Sequence, residues 1–185
     1  MGFDLNGIRP NGQDKPDAPD WTRKDNEEEK KAYFAWQTNT PGAYFRANVW
    51  GWRPIWEAVF ALCTDILTPE DYNSGSMNDG YVIDEDKASK IAKKLKHLNI
   101  SKMCEEREKY LNSLPLEECE ICKGTGHRND EIVQGKCNAC NTPFQKEKGI
   151  PVGKQKNWEC NYPLHEELFE EFIKFCEKSG GFEIW

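Results

Sequence analysis

Two Cys-x-x-Cys pairs, CEIC at 119–122 and CNAC at 137–140, are the residues of this chain whose type and spacing speak most directly of chemistry. Two intervening residues let both thiolates of a pair reach one ion, and a second pair completes a tetrahedral shell. Cys119, Cys122, Cys137 and Cys140 are therefore the expected ligands of one Zn2+. Four thiolates leave no open position for water or substrate, so the expected zinc is structural and not catalytic. Gly124 and Gly126 give the first knuckle the freedom to turn back toward the metal. His127 is the nearest rival ligand, and a redox dithiol is the other use to which such thiols are put.

A second cluster lies in YFRANVWGWRPIW at 44–56, which holds three of the chain's 7 tryptophans and two arginines. Read as broadly helical, Phe45, Val49, Trp52 and Trp56 form one apolar stripe, while Arg46, Trp50, Arg53 and Glu57 form another. In the plainer reading the first stripe is core and the second is an amphipathic surface, with Arg53 paired to Glu57 and an arginine stacked on Trp50. The sharper reading is a ligand face. Two guanidiniums would grip a phosphate or carboxylate while the indole stacks on a base, with Asp4 or Asn48 completing the polar lining.

The elements that must position these residues are legible in part. GFDLNG alternates between glycines and reads as a strand, residues 9–26 as a Pro/Asp/Asn-rich loop, and 27–37 as a helix that opens on acidic residues. Pro54 implies either one kinked helix or two over 44–67. Tyr81 to Ile83 reads as a short strand, Asp84 as the cap of a helix carrying Ala88, Ile91, Ala92 and Leu95, and Ser101 as the start of another reaching Leu114. Trp158 to Tyr162 is a candidate strand, 164–178 an amphipathic helix closed by Gly180 and Gly181, and FEIW a final strand expected to pair with the first. Cys63, Cys104, Cys160 and Cys176 are scattered, and three of them fall in helical patterns, where free cysteine is commonly a small buried hydrophobe. The expected fold is α+β: a helical core, a small antiparallel sheet joining the termini, and an inserted four-cysteine zinc knuckle hairpin. Residues 1–114 with 152–185 form the main domain, and 115–151 the insert.

Composition bounds the function. A net charge of −7 and a pI near 5.1 argue against generic DNA binding, which needs a basic face to displace counterions. The chain is strongly polar, with a mean hydropathy of −0.85, but 12% aromatic residues supply the apolar mass for a core. No apolar run approaches a membrane span and the start has no secretion signal, which points to the cytoplasm. P-loop, dinucleotide and HExxH signatures are missing, and His97, His127 and His165 stand apart from any triad.

CEICKGTG resembles one repeat of the cysteine-rich domain of DnaJ-type chaperones over residues 119–126, which implies the zinc knuckle alone. The second pair, CNACNTPF, departs from that pattern at Asn141 and Pro143. GFDLNG, YFRANVWGWRP, CEICKGTG and SGGF together resemble a family of uncharacterised bacteriophage and bacterial proteins with GxDLxG, YFRxNxWxWRP and CxxCxGTG motifs. That resemblance implies a phage-type accessory protein in the bacterial host cytoplasm. The resemblance brings no activity with it; the role expected of this chain is to bind a host or phage protein, with inhibition of a defence or replication component as one form of it, and an acidic surface suits a basic, nucleic-acid-handling partner. Two other classes stay open: a nucleotide or anion sensor using Arg46, Trp50 and Arg53, and a hydrolase or transferase acting on a phosphorylated small molecule.

Overall fold

The computed structural model describes residues 2–185. In chain order the elements are β1 (Gly2–Gly7), α1 (Glu27–Asn39), β2 (Tyr44–Asn48), α2 (Val49–Leu62), α3 (Pro69–Gly75), β3 (Tyr81–Ile83), α4 (Glu85–Leu95), α5 (Ile100–Ser113), β4 (Glu117–Glu118), β5 (His127–Asn129), β6 (Gln134–Lys136), α6 (Pro143–Glu147), β7 (Lys154–Gln155), α7 (Glu166–Lys178) and β8 (Phe182–Ile184). The fold is α+β, and it divides into two compact units: Met1–Glu105 with Tyr162–Trp185, and Glu106–Asn161.

The first unit is built on one antiparallel sheet in the order β2-β1-β8-β3. Leu5 lies opposite Ile184 and Gly7 opposite Phe182, so the two ends of the chain are strand partners, as the matching alternation of GFDLNG and FEIW implied. One face of the sheet carries Phe3, Leu5, Phe45, Ala47, Phe182, Ile184 and Ile83, all buried. These pack with Trp52, Ile55, Trp56 and Val59 of α2, Ile91 and Leu95 of α4, and Phe169, Phe172 and Phe175 of α7 into a single core. The core is aromatic in its centre: Trp52 stacks on Trp56 at 5.2 Å and meets Phe172 edge-on at 5.5 Å. Both indoles are satisfied, Trp52 Nε1 donating to Gly75 O at 2.9 Å and Trp56 Nε1 to Tyr72 O at 3.0 Å, which fastens α3 to α2. Cys63 and Cys176 are buried in this core, where burial pushes the Cys63 thiol up to about 11 and Cys176 well above its ordinary value.

The structure corrects the reading of 44–67 as helix throughout. Residues 44–48 form β2, whose alternate burial sends Phe45 and Ala47 inward and Tyr44 and Arg46 outward. Cross-strand pairing of Phe45 with Leu5 and of Ala47 with Phe3 outweighs the local 3.6-residue pattern. Asn48 ends the strand and caps α2, its side chain accepting from Gly51 N at 2.9 Å. Pro54 lies inside α2, not in the first turn of a separate helix. Residues 158–161 form a 3-10 turn where a strand was expected. Asn99, rather than Ser101, caps α5 by accepting from Lys102 N at 3.0 Å. Asp84 caps α4 as expected, accepting from Lys87 N at 2.8 Å.

The second unit contains the whole 115–151 segment. β4 pairs with β7, and β5 with β6, both antiparallel. Apart from Leu111 and Ile150, its buried apolar residues are the four cysteines themselves.

Candidate functional site

The knuckles bring Cys119, Cys122, Cys137 and Cys140 into one buried cluster whose sulfurs all lie within 4.8 Å of one another. Two separations are 4.0 Å, for Cys119 to Cys137, and 3.6 Å, for Cys122 to Cys140. Four sulfurs on a tetrahedron at the usual zinc–sulfur distance of about 2.3 Å stand about 3.8 Å apart. The four thiols can therefore hold one tetrahedral metal ion such as zinc.

The backbone around them supports thiolates. Gly126 N donates to Cys122 Sγ at 3.2 Å and Gly153 N to Cys140 Sγ at 3.3 Å. Burial disfavours the charged form of Cys122, but the Gly126 N–H and the neighbouring thiols outweigh it and bring Cys122 down to about 7. Burial and the same crowding push Cys140 up to about 12, despite the Gly153 N–H. Four thiols this close cannot all ionise without a cation between them, so full ionisation of the cluster needs a bound ion.

Gly153 was not visible as a site residue in the sequence. It lies 13 positions after Cys140, has φ +88, and a Cβ there would stand 2.2 Å from Gly124 O. Its carbonyl also accepts from Cys119 N at 2.8 Å, so one residue supports both knuckles. Its only sequence signal was the Pro-Val-Gly turn at 151–153. His127 stands on β5, exposed, with Nδ1 3.3 Å from Thr125 O, and is outside the sulfur cluster.

The other sequence candidates fall into two groups. Asp4 and Arg46 are register partners on the outer face of β1 and β2, with Arg46 Nε 3.6 Å from an Asp4 oxygen that also accepts from the Tyr44 hydroxyl. Burial, then the bond to Asp4 and its charge, push the Tyr44 hydroxyl up to about 12. Trp50 and Arg53 stand on the first turns of α2 against Tyr162: the Trp50 and Tyr162 rings are 5.0 Å apart and Arg53 Nη1 donates to the Tyr162 hydroxyl at 3.3 Å. Trp50 keeps 39% of its surface exposed, and Arg53 and Glu57 are also exposed. Asn48 is engaged as the α2 cap. The single stripe expected from Arg46 to Glu57 is therefore split by the strand-to-helix junction, and Tyr162, far off in sequence, takes the place beside Trp50.

Among the described residues no helix is long and apolar enough to cross a membrane. Comparison of the chain with protein-family models finds no match, and comparisons with curated proteins and with solved structures find none either.

Proposed function

We propose that this chain is a zinc-stapled, phage-type accessory protein that works in the cytoplasm of a bacterial host by binding a protein partner rather than by catalysis. The observation that carries the reading is a surface trio, in which exposed Trp50 and Arg53 meet half-buried Tyr162. Tryptophan, arginine and tyrosine dominate the energetics of protein interfaces, and a ring pair already braced by a guanidinium loses little freedom on binding. Zinc on Cys119, Cys122, Cys137 and Cys140 holds the second unit together in place of an apolar core.

Charge favours a basic partner. The second unit holds nine acidic and nine basic side chains, so the entire net charge of −7 belongs to the unit that carries Trp50. That field attracts basic, nucleic-acid-handling proteins, such as components of host defence or replication, and repels nucleic acid itself. Affinity capture from host cells, followed by titration of the captured protein against wild type, Trp50→Ala and Arg53→Ala, tests the reading. Each variant is expected to bind at least about tenfold more weakly, which is ~1.4 kcal/mol. Equal binding by folded variants contradicts it.

A second reading rests on the same guanidinium beside two rings: a nucleotide or anion sensor, in which Arg53 meets phosphate or carboxylate and Trp50 stacks on a base. A nucleotide-dependent rise in melting temperature that is lost in Arg53→Ala supports it, and no shift with any nucleotide rules it out. Turnover of a nucleotide that shifts the melt would move the assignment to a hydrolase or transferase.

A further inference from the structure

β2 ends its sheet on one side, and among the described residues no strand covers its free edge. Gly7 N donates to Ala43 O at 2.9 Å, whereas Asp4 N donates to Trp185 O at 2.6 Å and Trp185 N returns to Asp4 O at 2.9 Å. Odd-numbered residues of β1 thus bond toward β2 and even-numbered ones toward β8. Since Leu5 faces Phe45 and Phe3 faces Ala47, the main chains of Phe45 and Ala47 bond inward, and those of Tyr44 and Arg46 point to the open edge. The register with β1 is unbroken, β2 has no proline, and its one charged side chain, Arg46, is turned to Asp4. The edge therefore lacks the bulge or proline that blunts many natural sheets.

Beside that edge a groove of about 470 Å³ separates β2 from α7. α7 runs lengthwise along the strand, with Leu168 close against Gly51 beyond one end and Lys178 close against Gly42 at the other. The exposed charges of the helix are sorted by sign. Glu166, Glu167, Glu170 and Glu171 lie in its first half, and Lys174 and Lys178 in its second. Glu177 breaks the pattern, but Lys96 holds it at 3.0 Å, and Lys174 lies 3.9 Å from Glu170 of its own helix. Glu171 and Lys178, both on the groove wall, make no ion pair among the described residues. They stand about 10 Å apart along one face of the helix.

We infer that the β2 edge is taken by a second copy of this chain, the two β2 strands pairing antiparallel about a two-fold axis. Tyr44 of each copy lies opposite Arg46 of the other, each pair exchanging two main-chain bonds, and Phe45 lies opposite Phe45 on the axis. Shifting the register one way sets Arg46 against Arg46, like charge on like. Shifting it the other way draws in Gly42, which leaves extended geometry at φ +81. The axis stands perpendicular to the sheet, so the two α7 helices come side by side and antiparallel at the level of Phe45. Phe45 meets Phe172 at 5.6 Å and Phe175 at 5.8 Å, and the midpoint between Glu171 and Lys178 falls within that span. Glu171 of each copy is therefore level with Lys178 of the other, and the acidic half of each helix lies along the basic half of its mate. A mixed charge pattern that suits neither an acidic nor a basic peptide is complementary to itself under this symmetry. The interface does not depend on Trp50 binding a partner.

Sedimentation equilibrium of the full chain over a concentration series, joined to amide hydrogen exchange, tests this. Exchange at Tyr44 and Arg46 is expected to slow by about tenfold or more as monomer gives way to dimer. Glu171→Lys and Lys178→Glu each set like charges together at both symmetry-related contacts, and each is expected to weaken self-association by about tenfold. Mixed in equal amounts, the two variants regain opposite charges at both contacts, and are expected to form a mixed dimer tighter than either variant forms alone. Arg46→Pro removes an outward donor that β1 does not use and is expected to weaken the dimer by about tenfold. The charge reversals, on the exposed side of α7, keep the inference testable if Arg46→Pro does not fold. A wild type that stays monomeric up to about 1 mM overturns the inference. So does a dimer indifferent to both reversals, a mixture no tighter than its components, or protection that appears elsewhere on dimerisation.

Discussion

Asp71 is a fully buried carboxylate, and its surroundings explain why it stays charged. Lys87 Nζ reaches both of its oxygens at 2.7 and 2.9 Å, Thr68 donates from N and Oγ1 at 2.7 and 2.8 Å, and Tyr81 donates at 3.1 Å. Burial alone would raise its pKa, but these donors outweigh burial and hold it below the usual carboxylate range. A depressed carboxylate stabilises the fold above its unfolded value, and that contribution disappears as pH falls through the folded value. Asp71→Ala is expected to cost ~3 kcal/mol at neutral pH, because Lys87 loses its buried counter-charge. The gap between the two chains in urea midpoint should close as pH falls toward about 2. A gap that persists in acid would assign the loss to packing instead. Individual residues were legible where their chemistry is local: the four thiols follow from spacing, and Asp84 from its place before a helix. Asp71 with Lys87, and Trp50 with Tyr162, were not, since each pair joins residues that only the fold brings together.

At the scale of elements, the junction of β2 and α2 decides most of what the tryptophan-rich stretch does. Five residues of strand pairing move Arg46 onto the sheet beside Asp4, and the Asn48 cap then turns the chain so that Trp52 and Trp56 enter the core while Trp50 stays at the surface. The period-two pattern was present in YFRAN but is short, and the apolar residues that follow at helical spacing masked it. By contrast, the pairing of the terminal strands was legible, because GFDLNG and FEIW alternate cleanly and are bounded by glycine. α1 was also legible as an element, although none of its residues is buried, a fact its sequence did not reveal. The α2–α3 joint carries a prediction of its own. Trp52→Phe keeps most of the apolar contact but strips Gly75 O of its donor, and is expected to cost about 1–3 kcal/mol in denaturant unfolding. A change below about 0.5 kcal/mol would show that the indole N–H does not fasten α3.

Over the whole molecule, two different physical solutions to stability occur in one chain. The first unit folds on burial of large aromatic side chains between a sheet and three helices, and there composition and periodicity sufficed to expect an α+β core. The second has a cluster of sulfurs where a core would be, and there the metal pattern alone carried the expectation. Charge is divided the same way, balanced in the second unit and strongly acidic in the first. Because the thiols must be deprotonated to bind, metal is expected to leave as pH falls, with uptake of protons. The most direct test is elemental analysis of the natively purified chain, joined to X-ray absorption at the zinc edge. The account predicts about one zinc per chain, bound by four sulfurs at about 2.3 Å, and loss of that metal in Cys122→Ser. A natively folded chain without metal, or a bound zinc with nitrogen or oxygen in place of sulfur, would contradict it.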